Sequence, residues 1–127
     1  MDDHSILTDI KKLLGITEPY TAYDTDIIIA INSCFATLHQ LGVGPEEAFK
    51  IDDATAVWSD FIGDHKAIDS VKDYIFVKTK LIFDPPLNGA VMESYREMVR
   101  EYEWRLSQAD DLVRNFKEEE DSDNGEI

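Results

Sequence analysis

Glu93, Glu97 and Glu101 recur at steps of four, so on a helix they share one face, from which carboxylates can hold Mg²⁺ for nucleotide pyrophosphate hydrolysis. Arg96 and Arg100 lie between them, and the paired Glu46-Glu47, which such a site would need inside a helix, follow Gly44-Pro45 in a loop. A salt-bridged, solvated surface is therefore the better reading of the set. Glu120 to Ile127 has the order of the first eight positions of a calcium loop, with Gly125 sixth, but the sequence stops before the bidentate acid at position twelve. His4, His39 and His65 fall in separate segments, and none pairs with Cys34 or with a nucleophilic serine motif. Gly42-Val43-Gly44 precedes no Gly-Lys-Thr or Gly-Lys-Ser, so no loop cradles phosphate. The expectation is a chain with no catalytic residues, no cofactor and no metal site.

The elements that carry these residues read as helices. The Asp84-Pro85-Pro86 break is followed by Asn88, suited to cap a helix whose Val91, Tyr95, Met98, Tyr102, Leu106, Ala109, Leu112 and Phe116 recur at three or four. A helix over about residues 88–116 would be roughly 42 Å long, against a radius of gyration of roughly 14 Å for a domain of this size. Its first half is expected to pack on the core and its far end to reach beyond it. Trp104 stands off the main stripe and marks a second apolar face.

Upstream, Ser5 caps a short helix bearing Ile6, Leu7, Ile10, Leu13 and Leu14, which Gly15 ends. Asp24 or Thr25 opens a central helix with Ile27, Ile28, Ile31, Cys34, Phe35, Leu38 and Leu41 on its buried side. Residues 46–54 give mixed signals. Thr55 to Ile62 is expected to be a helix of about two turns, stopped by Gly63. From His65 or Lys66 to Phe83, the spacing of Ile68, Val71, Ile75 and Ile82 favours a helix over the strand that the β-branched run would allow. The fold class that results is all-α: a small bundle of four to five helices with a long protruding C-terminal helix and an acidic tail. The expected organisation is one domain over 1–116 and a tail over 117–127, disordered unless docked.

Twenty-seven acids against 12 bases give a net charge of −15 over 127 residues. Six of those acids lie in Glu118 to Ile127, which leaves 21 against 12 for the rest, so the body is acidic too. That balance excludes a groove gripping nucleic-acid phosphates and affinity for anionic lipid. One cysteine permits no internal disulfide, and no secretory signal or membrane-spanning run is evident, which predicts a protein made in the cytoplasm.

The opening Ile6-Leu7-Thr8-Asp9-Ile10-Lys11-Lys12-Leu13-Leu14-Gly15-Ile16, the Asp24-Thr25-Asp26-Ile27 helix start, and Lys78 to Leu106 with its Asp84-Pro85-Pro86 break and Glu103-Trp104-Arg105-Leu106 carry a resemblance. In these features the chain resembles the head-tail connector, or adaptor, proteins of long-tailed bacteriophages. The resemblance implies a virion structural protein at the head-tail interface, assembled as a ring, usually twelve-fold, beneath the portal protein and above a tail-side connector or tail completion protein. DNA would pass through the bore without specific binding, and no membrane would be involved. Carried over by position, it assigns the portal contact to Trp104, Leu112, Phe116, Glu118, Glu119 and Glu120. Acidity fits that role, since carboxylates facing a bore repel phosphates and let a duplex slide. The alternative is an acidic regulatory protein, such as a DNA mimic occupying the basic groove of a nucleic-acid enzyme; it leaves the Pro-Pro break and the long arm unexplained.

Overall fold

A computed structural model describes residues 4–63 and 67–108, which form five helices and no strand. The first, α1 (Ile6–Leu13), begins where Ser5 takes an extended conformation and its Oγ accepts the amide of Thr8 at 3.1 Å. Ile6, Leu7 and Ile10 bury one face, and the chain leaves the helix through Gly15 at φ +84°, where a side chain would be strained.

The second, α2 (Asp24–Gln40), is the centre of the molecule. Ile27, Ala30, Ile31, Cys34, Phe35 and Leu38 are all buried, and Gly42 at φ +88° carries the chain away. The irregular segment that follows is part of the core. Val43 and Ile51 are buried, and Asn32 of α2 holds the segment by a reciprocal pair: its Nδ2 donates to the Ile51 carbonyl at 2.9 Å and its Oδ1 accepts the Ile51 amide at 2.8 Å. Gly44 passes so close to Phe61 that an added Cβ would lie 2.5 Å from the ring. Phe35, Phe49 and Phe61 close this corner with ring centroids 4.7 to 5.4 Å apart.

The third helix, α3 (Trp58–Ile62), is shorter than the expected Thr55–Ile62. Asp53 accepts from both the amide and the hydroxyl of Thr55, bending the chain there, and Asp60 accepts the amide of Val57, which fixes the helix start after Val57. Val57 instead pairs with Ser5 in an isolated bridge, and the Ile6 amide donates to the Ala56 carbonyl.

The fourth, α4 (Ile68–Phe83), is a helix as its spacing predicts; His65 and Lys66, the expected start, lie outside the described residues. Val71, Tyr74, Ile75, Val77 and Thr79 are buried. Tyr23 at the start of α2 meets Phe83 at the end of α4, with centroids 5.4 Å apart, so the two run in opposite senses. The fifth, α5 (Gly89–Gln108), starts at Asn88, whose Oδ1 accepts the amides of Ala90 and Val91, and returns along α4 as a hairpin.

Candidate functional site

The residues of α5 that reach the core lie in its second half. Leu106, 3% exposed, enters the core, with Val99 and Tyr102 packed beside it. Burying a leucine so completely stabilises by about 1.5–3 kcal/mol. A polar latch adds direction: the Tyr74 hydroxyl donates to Glu103 at 2.8 Å, Lys78 donates to Tyr74 at 3.1 Å and to Thr37 of α2 at 2.9 Å, and the Lys78 and Glu103 charges lie 3.7 Å apart. Burial and the Glu103 carboxylate push the Tyr74 phenol far above its ordinary range, so it remains a donor. Three helices thus meet at one side chain.

One side of the first half of α5 lies open. Of the core packing expected for the first half of the 88–116 helix, Val99 and Tyr102 do lie against the core, whereas between Gly89 and Met98 no residue is fully buried: Met92 and Tyr95 are half-buried, and Val91 and Met98 are 43% and 40% exposed. Val91 and Met98 lie off the face of α5 that carries Val99, Tyr102 and Leu106, so docking through those residues leaves them at the surface. Leu87 is fully exposed and Ile82 about half, so an apolar ridge continues around the hairpin tip.

Trp104 is 66% exposed, on the face of α5 turned away from Leu106. It thus stands off the main stripe, as its spacing predicts, among Arg100, Glu101, Ser107 and Gln108. Leu112, Phe116, Glu118, Glu119 and Glu120 lie outside the described residues, as do the calcium-loop order of Glu120 to Ile127 and the helix beyond Gln108.

Glu93, Glu97 and Glu101 are tied up by arginines. Arg100 reaches Glu93 at 3.1 Å and Glu97 at 3.5 Å, Arg96 lies 3.8 Å from Glu93, and Arg105 pairs with Glu101. A carboxylate neutralised in this way is a poor Mg²⁺ ligand, and among the described residues no group of three or more His, Cys, Asp or Glu side chains is placed to hold a metal ion. Cys34 is buried, its thiol pushed up to about 11 chiefly by desolvation. Such a thiol stays protonated and shielded. No described helix is long and apolar enough to cross a membrane.

Sequence reasoning missed the latch and Lys11. Lys11, 2% exposed, donates to the carbonyls of Glu18 at 3.0 Å and Tyr20 at 2.8 Å and lies 2.8 Å from the Asp24 carboxylate, clamping the Pro19 loop to the start of α2. Its only sequence signal is its place one step from Ile10, on the buried side of α1. Tyr74 sits within the apolar run of α4 and so reads as core until its hydroxyl partner is seen.

The model of the phage connector protein family matches residues 6–112. No curated protein and no solved structure matches the chain.

Proposed function

The chain belongs to the phage connector protein family and so has a structural, connecting role in a bacteriophage; from that premise we propose that it assembles as a ring under the portal and joins head to tail, with the genome passing through its bore. The observation that carries the reading is the family match itself, which extends through all five helices. The site geometry is compatible with it: the exposed side chains that stand out are apolar ones on helix surfaces and paired ions, the material of interfaces. A net charge of −15 favours passage of DNA over retention. Asp and Glu side chains facing the bore are part of the proposal; a lumen lined by Lys and Arg would contradict it.

The portal contact is proposed for Trp104 and the segment beyond Gln108, including Leu112, Phe116 and Glu118 to Glu120. Testing it calls for purified portal mixed with the intact chain and with a chain truncated after Gln108. Cutting earlier, at Tyr102, would remove Glu103 and Leu106 and so unlatch α5, confusing loss of contact with loss of fold. A stoichiometric ring by electron microscopy from the intact chain, lost on truncation and weakened by Trp104→Ala, is expected. Failure of the intact chain to join any portal ring would sink the reading.

A further inference from the structure

Charge is distributed unevenly enough on this molecule to say what covers its open apolar ridge. From Gly89 to Arg100 the charged residues are Glu93, Arg96, Glu97 and Arg100, two of each sign and bridged to one another, so the ridge of Leu87, Val91 and Met98 rides on an element with no net charge in a chain of −15. A basic partner has nothing to attract it there, and a second copy of this acidic chain has nothing to repel it.

A matching surface lies on α2. No Asp, Glu, Lys or Arg occurs from Ile27 to Gln40, although 31% of the chain is charged, and Ile29 projects from that helix 63% exposed, with Asp26 exposed one turn before it and Ser33 and Ala36 exposed beyond it. An outer face free of charge from Ile29 onward, on a helix whose inner face already fills the core, has the composition of an interface. The two surfaces belong to different helices, and a contact between unlike patches propagates head to tail, closing a ring when the rotation allows.

We infer that the α5 ridge of one subunit, from Leu87 through Val91 to Met98, seats on the α2 face around Ile29 of the next copy of the same chain. This deepens the ring reading above by naming the subunit contact, and it leaves the portal contact to Trp104 and beyond. The arrangement also explains the division of α5: its second half is held by its own core and the open side of its first half by a neighbour. Apolar contact between like-charged bodies strengthens as salt screens their repulsion, whereas a contact to a basic partner weakens.

Disulfide trapping without the portal tests it, so that this contact and the portal reading fail separately. Full-length Val91→Cys and Ile29→Cys chains are mixed at high protein concentration in about 0.5 M salt, where screening lengths are only a few ångström, with a mild thiol oxidant. Buried Cys34 does not compete. The expected result is a covalent dimer in the mixture at several times the yield of either variant alone, rising with salt and lost when Met98→Glu is added to the Val91→Cys chain. A yield no greater than that of Arg100→Cys, nine residues from Val91 and so on the opposite face of α5, overturns the proposal. Val91→Cys linking mainly to itself overturns it as well, because that contact would be two-fold and would not build a ring.

Discussion

Lys11 shows how one side chain can organise a segment that has no regular structure. Its ammonium has two carbonyl acceptors and the Asp24 carboxylate within 3.0 Å, and its stem lies in the core beside Ile10. Lys11→Ala removes all three partners at once and leaves a void where the stem lay. About 2–3 kcal/mol of stability should be lost, visible as a lower urea midpoint at unchanged m-value. A loss below about 0.5 kcal/mol would mean that water replaces the ammonium without penalty. Cys34 makes a pH prediction. Its thiol ionises near 9 when unfolded and at about 11 when buried, so the raised value means that stability is intact below pH 9 and falls as pH climbs through about 11. Tyr74 shifts the same way, but its loss starts nearer pH 10, the ordinary phenol value. The fall in unfolding free energy between pH 9 and 10 should therefore vanish in Cys34→Ala, whatever that variant's stability at neutral pH.

Helices were the most legible level because their periodicity is written in apolar spacing, and the places where that reading failed have physical causes. Asn88 and Ser5 work as caps, and α4 stays helical despite its β-branched run, since Val71, Tyr74 and Ile75 all find core partners on one side. Val91 and Met98 on α5 continue the same spacing and are exposed, because periodicity shows that a face is apolar and cannot show what covers it. The late start of α3 depends on two side chains, Asp53 and Asp60, that bond to nearby backbone in ways no hydrophobic pattern reveals. That Trp104 stands off the main stripe was legible from its position alone, whereas the latch around Tyr74 and the reciprocal bonds of Asn32 join residues 29 and 19 positions apart. The latch predicts how α5 moves. Tyr74→Phe keeps the ring in the core and removes the hydroxyl that Glu103 and Lys78 share, at a cost of about 1–2 kcal/mol. Amide exchange from Val99 to Gln108 should quicken by roughly tenfold, while amides of α2 keep their protection. Equal acceleration in α2 and α5 would show that the hairpin does not open as a separate unit.

Across the whole molecule, a net charge of −15 on a body this small makes folding itself an electrostatic compromise. The ion pairs on α5 do not offset that repulsion: Arg100, Glu93 and Glu97 are all more than half exposed, and pairs of that kind contribute little. Lys78 is better shielded, but one latch cannot balance fifteen excess charges. Raising monovalent salt from about 0.01 M to about 0.5 M shortens the screening length from roughly 30 Å to a few ångström, which removes most of the long-range repulsion and leaves the apolar core untouched. Tm should therefore rise with salt by roughly 3–6 °C, the shift expected for about 1 kcal/mol in a chain of this length. A fall in Tm over the same range would mean that specific pairs outweigh net repulsion. The same series bears on assembly, because each subunit added to a ring meets the summed charge of those already there. Self-association measured by sedimentation should strengthen over the salt range that raises Tm, and the two responses share one cause only if Met98→Glu abolishes the first while leaving the second.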